Sequence, residues 1–180
     1  MTNTPGAISV RLAMSLDGYI ADPEGGYDWI VPVPSPGLDT AHQLPFDDFL
    51  DQVDLVVMGR RCYEQGQSED FVTLGKQVIV ATSKAASRSD TSPGIEFSDD
   101  VIGAVTAARQ QGQHCFVFGG GLLVHSFVAA DVIDTLTVSI VPVLLGGGRS
   151  LFPGHHPTLN LRLTDYAIAD GKVRLVYQRR

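Results

Sequence analysis

Cysteine is nearly absent from this sequence: Cys62 and Cys115 are the only two in 180 residues, and their separation matches no metal-ligand spacing. That argues against a disulfide-stapled scaffold and a cysteine-bound metal, and predicts two free thiols in a reducing compartment. Basic charge is also short. Thirteen Lys and Arg against twenty Asp and Glu leave a net charge of −7, which argues against nonspecific binding to nucleic acid or an anionic membrane. No apolar run approaches the ~18–20 residues of a membrane span. Met1 to Gly6 lacks the basic and apolar regions of a signal peptide. The expectation is a cytoplasmic protein with no membrane or nucleic-acid partner. Several catalytic signatures are missing as well, including the G-x-S-x-G nucleophile elbow and the G-x-x-x-x-G-K-[ST] phosphate loop. His155-His156 is an adjacent pair among Pro153, Gly154 and Pro157, while His42, His114 and His125 are isolated. No metal site is expected.

Hydrophobic residues make up 44% of the chain and charged residues 18%, the balance of a globular domain. One domain over residues 1–180 is expected, large enough to fold without a staple. Ile8, Val10, Leu12 and Met14 alternate with smaller or polar residues, a strand signature. Leu55 to Met58, Val78 to Ala81 and Cys115 to Phe118 are short, wholly apolar runs, the pattern of strands covered on both faces. Helices are predicted from Pro45, from the Ser98-Asp99-Asp100 cap to about Gln111, and from the glycines at 119–121 through Ala129. Leu136 to Val143, Leu159 to Ile168 and Val173 to Gln178 read as later strands, the last two joined at Asp170-Gly171. Together these predict an α/β fold whose mixed sheet has a parallel core and antiparallel C-terminal strands.

Ligands of open α/β sheets bind beyond the carboxyl ends of the strands, and four segments place suggestive residues there. Gly59-Arg60-Arg61-Cys62 offers close backbone approach, helix amides and guanidinium groups to a phosphate; a solvated helix start is the alternative. Thr82-Ser83-Lys84 could clamp a phosphate monoester or be an ordinary loop. Gly119-Gly120-Gly121-Leu122 could admit a pyrophosphate or form a plain tight turn, and it is not the Rossmann G-x-G-x-x-G. Asp17, followed by Gly18, could anchor substrate or supply a proton, or its carboxylate could satisfy nearby loop amides. Trp29, in the same long loop, could cover a planar substrate or act as a hydrophobic anchor.

The order of these motifs resembles the dihydrofolate-reductase-like superfamily, in the branch that contains the reductase domain of bacterial riboflavin biosynthesis. The likeness is carried by Ser15-Leu16-Asp17-Gly18 with Trp29-Ile30, by Met58-Gly59-Arg60 with Tyr63-Glu64, by Gly119-Gly120-Gly121-Leu122, and by Val132-Ile133-Asp134 with Pro142 to Gly148 and Leu151-Phe152. It implies a three-layer α/β/α fold, a homodimer and an NADPH-dependent reductase of a small polar heterocycle. Gly59, Arg60, Arg61, Cys62 and Gly119 to Leu122 would meet the cofactor phosphates. Thr82, Ser83 and Lys84 would approach the 2′-phosphate, Ala13 and Ile20 would flank the nicotinamide, and Asp17, Gly18 and Trp29 would face substrate. The riboflavin-branch substrate would be 5-amino-6-(5-phosphoribosylamino)uracil. Pro45-x-Asp47 resembles the acidic helix that binds a pterin in dihydrofolate reductases, which makes a pterin the alternative substrate and Asp47 a candidate for its site. Cys62 where the branch has Thr, Tyr19 for Arg or Lys, Phe118 for Glu and Thr135 for Glu are departures. They bear on the substrate more than on the cofactor. A noncatalytic nucleotide-binding protein of this fold and a flavin-linked reductase are the rival readings.

Overall fold

The computed structural model describes residues 4–83 and 92–180. Its first strand, β1 (Ile8–Ser15), follows the alternation of its sequence: Ile8 and Val10 are fully buried on one face of the sheet. The apolar runs become β3 (Leu55–Gly59), β4 (Gln77–Ala81) and β6 (Cys115–Gly119). Each is covered on both sides. Leu55 and Val57 join one core cluster, Val56 and Met58 the other, as expected for parallel strands flanked by helices.

One helical layer contains α4 (Val101–Gln110) and α5 (Gly121–Ala129). It supplies Val105, Val124 and Phe127 to the larger cluster. Asp100 caps α4 by accepting from the Gly103 amide at 3.0 Å, as the acidic cap in the sequence predicts. The opposite layer holds three short helices, α1 (Phe46–Asp51), α2 (Arg60–Glu64) and α3 (Glu69–Thr73). Leu50 and Phe71 from this layer pack around Phe116, which meets Phe49 edge-on at 5.0 Å.

The main sheet has the order β5-β4-β3-β6-β1-β7-β10-β9, with β5 (Ile95–Ser98), β7 (Thr135–Val141), β9 (Leu161–Ala169) and β10 (Lys172–Arg179). Strands β5 through β7 run parallel, and β10 and β9 complete the sheet with antiparallel pairings. Asp170 and Gly171 both adopt positive φ, 53° and 71°, the type I′ geometry of a two-residue hairpin. The three-layer α/β/α fold with a parallel core and antiparallel C-terminal strands is therefore present. Two small elements escape the sequence pattern: edge strand β5, and a ribbon of β2 (Tyr19–Ala21) with β8 (Arg149–Ser150). All are four residues or fewer and carry no resolvable period. Strand β7 is bonded to β1 and to β10, so it exposes no free edge for a partner copy.

Asp134 ties the amino end of β1 into place. Its carboxylate accepts the Ile8 amide at 2.8 Å and the Arg109 guanidinium at 2.6 Å. No helix among the described residues is long and apolar enough to cross a membrane.

Phe116 is completely buried and borders four other phenylalanine rings, those of Phe46, Phe49, Phe71 and Phe118. Phe116→Ala is expected to cost about 3–5 kcal/mol, measured as a lowered urea midpoint without a large change in slope.

Candidate functional site

Strand β6 is inserted between β3 and β1 although it follows both in sequence, which brings three carboxyl ends together at one crevice. That is where an open α/β sheet binds its ligand. Backbone rather than side chains lines its floor. A Cβ on Gly59 would lie 3.7 Å from the Gly119 carbonyl oxygen and 4.0 Å from the Gly120 nitrogen. Gly119 has φ +134°, in the region glycine occupies without strain. The Gly119-Gly120 peptide is cis. Beside Gly119 and Gly120 a Cβ would meet nothing within 4 Å, so there is open space against the backbone. Helices α2 and α5 start here from extended Gly59 and Gly120, and no side chain caps either start. Their first amides thus face outward, with the positive end of the helix dipole behind them.

Cys62 sits one turn into α2. Burial pushes its thiol pKa up, against the Gly120, Cys62 and Gly59 amides and the Arg149 guanidinium, which pull it down. A raised thiol stays protonated, so Cys62 contributes bulk and a weak contact with Gly120 rather than a nucleophile. Arg60 and Arg61 are exposed on α2, and Arg60 pairs with Glu64 at 3.0 Å. An exposed i,i+4 pair is weak, leaving the guanidinium recruitable by a stronger anion. Thr82 follows β4 with its amide on the Ser98 carbonyl at 2.9 Å, and Ser83 is exposed beside it. Lys84 lies outside the described residues.

Asp17 is fully engaged. It accepts the Ser15 hydroxyl at 2.6 Å, the Leu145 amide at 3.1 Å and the Gly146 amide at 2.7 Å. The Ser15 hydroxyl, followed by those amides, holds its pKa below the ordinary value. A carboxylate so held is ionised at neutral pH. The geometry therefore favours the loop-bracing alternative: Asp17 ties the end of β1 to the glycine-rich segment after β7. The Leu16 amide, donating to the Val143 carbonyl at 2.9 Å, reinforces that seam.

The β2–β8 ribbon covers the crevice. Asp22 accepts both the Gly25 and Gly26 amides at 2.7 Å, closing a tight turn on which Trp29 rests through its Nε1 bond to the Gly26 carbonyl at 3.3 Å. Trp29 is half-buried, and Ile20 packs against the larger core cluster. Ala13 lies on the opposite face of β1, paired with Ser139. Arg149 is a residue that sequence reasoning missed. Its guanidinium lies where a Cβ on Gly25 would be, 2.4 Å away, and its charge acts on Cys62. A cation placed directly after three glycines was the available signal.

Asp47 and Asp48 are both exposed in the first turn of α1, and Asp48 also lines a cavity together with Arg11 and acts on that guanidinium.

The model of the RibD C-terminal domain family matches residues 7–173. The uncharacterized protein YyaP of Bacillus subtilis is 30% identical over 183 residues, covering 94% of this chain and 93% of its own. Among solved structures, a Shewanella sp. PV-4 protein assigned provisionally to riboflavin biosynthesis superposes with a TM-score of 0.78 at 26% identity. It covers 97% of this chain and 99% of that one. Dihydrofolate reductase from Enterococcus faecalis, solved with NADP(H), gives a TM-score of 0.61 at 16% identity and covers 98% of both chains. The fold is thus dihydrofolate-reductase-like.

The depressed Asp17 pKa fixes a pH signature. Its ionisation stabilises the folded state above the unfolded value of 3.8, and that contribution is lost as pH falls through the lower folded value. Asp17→Asn is expected to unfold at lower urea than the parent at neutral pH. The gap should narrow as pH drops below 3.8; a constant gap would rule out the brace.

Proposed function

The chain belongs to the RibD C-terminal domain family, and from that premise we propose that it is an NADPH-dependent reductase of a small polar heterocycle. The observation that carries the reading is the glycine-floored crevice, where Gly59 faces Gly119-Gly120 between two uncapped helix starts and beside Arg60 and Arg61. Open space against bare backbone, outward amides and guanidinium groups form a donor set suited to a dinucleotide pyrophosphate. An apolar or cationic ligand would leave that donor set unanswered.

The residues divide by role. Gly59, Gly119 and Gly120 admit the pyrophosphate, Gly121 and Leu122 donate their amides, and Arg60 and Arg61 neutralise its charge. Thr82 and Ser83, with Lys84, take the 2′-phosphate that separates NADPH from NADH. Ala13 and Ile20 border the nicotinamide, and the Gly18 and Trp29 side receives substrate. When bound, the cofactor supplies a hydride from its nicotinamide C4. Reduction of a C=N or C=O bond also requires a proton on the heteroatom. Asp17, held ionised by three donors, is a poor source at neutral pH. Asp17 instead positions the loop at 145–146 beside the reacting ring. The first substrate to screen is 5-amino-6-(5-phosphoribosylamino)uracil.

Calorimetric titration with NADPH and NADH tests the cofactor. NADPH is expected to bind much more tightly, and Arg60→Met or Arg61→Met to weaken it about 10- to 100-fold, the loss of one charge-assisted bond. Equal affinity for the two cofactors would remove the 2′-phosphate assignment. NADPH binding with no turnover across heterocyclic substrates would instead return the noncatalytic reading.

A further inference from the structure

Four arginines among the described residues are half-buried: Arg11, Arg109, Arg149 and Arg174. Three of them have acceptors. Arg109 donates to the Asp134 carboxylate at 2.6 Å, and Arg174 Nε donates to the Ser139 hydroxyl at 3.1 Å. Arg11 and Arg174 both donate to the Leu44 carbonyl oxygen, on the polar sheet face under α1. Arg149 differs. Among the described residues its guanidinium makes no hydrogen bond and no ion pair. A guanidinium carries five donors and does not give up its charge, so partial burial costs free energy that no described acceptor returns.

The surroundings of Arg149 put this cation on the ribbon side of the glycine-floored crevice. Strand β8 pairs Arg149 with Ala21, and the carbonyl oxygen of the next residue, Ser150, lies 2.4 Å from where a Cβ on Gly121 would stand. The side chain thus springs from one residue away from the start of α5. Its charge reaches the Cys62 thiol, which also meets the Gly120 and Gly59 amides. The guanidinium covers Gly25: a Cβ there would lie 2.4 Å from one of its nitrogens and 2.6 Å from its carbon. Gly25 is buried, with φ +95°. Asp22, the acid of that turn, is committed to the Gly25 and Gly26 amides at 2.7 Å each. Trp29 is held to the same turn through the Gly26 carbonyl. Arg149 therefore stands between the glycine floor and the turn that carries Trp29.

We propose that Arg149 is a further cation of the cofactor site, one that holds the dinucleotide pyrophosphate from the ribbon side and passes its occupancy to Trp29. The identity of the ligand rests on the reductase reading of the crevice. Arg60 and Arg61 approach from α2, whereas Arg149 approaches from β8, so a pyrophosphate between them joins the ribbon to the helix layer. A planar guanidinium suits that anion because it meets two oxygens at once. Having no described acceptor, it has no internal bond to break before it engages the anion. Drawing the guanidinium onto phosphate oxygens shifts the group that covers Gly25, and the turn braced by Asp22 moves with it as one unit. Trp29, bonded to that turn, changes its surroundings. The wall that faces the substrate is then set by the cofactor.

Trp29 is the only tryptophan in the chain, so its emission reports the turn directly. Inorganic pyrophosphate is the optical probe, because it brings no ring that would absorb or quench that emission; sodium chloride at matched ionic strength is the control. Saturating pyrophosphate is expected to shift Trp29 emission in the parent and to leave it unshifted in Arg149→Met. Arg60→Met needs more pyrophosphate and then shows the full shift. In calorimetric titration Arg149→Met is expected to weaken NADPH binding about 10- to 100-fold, with ligand-free Tm and emission close to those of the parent. A mere strut of the ribbon would do the reverse, altering Tm and ligand-free emission while sparing affinity. If Arg149→Met fails to fold by circular dichroism, Arg149→Lys replaces it; the ammonium keeps the charge but loses the fork, so affinity falls by a smaller factor. Undiminished NADPH affinity in the folded variant, or a pyrophosphate shift that survives Arg149→Met, overturns the inference and leaves the cofactor reading standing. A parent that shows the Arg149-dependent pyrophosphate shift but binds no NADPH sinks the cofactor reading alone. A parent that binds neither overturns both.

Discussion

Everything at the carboxyl edge of this sheet depends on backbone lying directly against backbone. A Cβ on Gly121 would stand 2.4 Å from the Ser150 carbonyl oxygen, and one on Gly148 would stand 2.2 Å from that of Ala21. Real side chains do not survive at such distances, so the β2–β8 ribbon can close onto α5 only through glycine. Closure presses the ribbon onto the crevice, seats Arg149 near Cys62 and gives Trp29 its turn to rest on. The Asp17 carboxylate then locks the same assembly from the other side, tying β1 to the segment after β7. The site is shaped by steric permission first and by charge second.

Charge nonetheless decides what the shape can hold. The chain carries seven more acidic than basic residues, yet its cations are not spread evenly. Arg60, Arg61 and Arg149 gather around the strand ends, and Arg11 and Arg174 gather under α1. In a protein of negative overall field, two local concentrations of guanidinium groups select anions only at those places, because screening confines each group's influence to about 8–10 Å. The two foci are joined by β1, with Arg11 inside the strand and Asp17 just past its end.

Much of the fold was legible because its signals are periodic and long. Alternation along Ile8 to Met14, three apolar runs and the Asp170-Gly171 turn each have a single reading in physical terms. The glycine motifs at 59 and 119–121 were legible for a different reason: glycine immediately after a buried strand has few other uses. What stayed hidden was short or long-range. The edge strand at 95–98 and the two-residue pairing of Arg149 and Ser150 are too brief to show a period. The partners of Asp17 stand 128 and 129 residues away, so the choice between acid and brace could not be made locally.

The polar face under α1 is the feature hardest to explain as packing alone. The other face of the same strands carries Ile8, Val10, Leu136 and Val138 in a continuous apolar cluster. Nothing in the backbone would prevent an equally apolar second face, since Phe46 and Phe49 are already there to cover it. Burying guanidinium groups costs desolvation that the Leu44 carbonyl, the Ser139 hydroxyl and the rings of Phe46 and Phe49 offset in part, and apolar residues of similar volume commonly serve stability as well or better. Arg11 and Arg174 therefore lower the stability available to the fold.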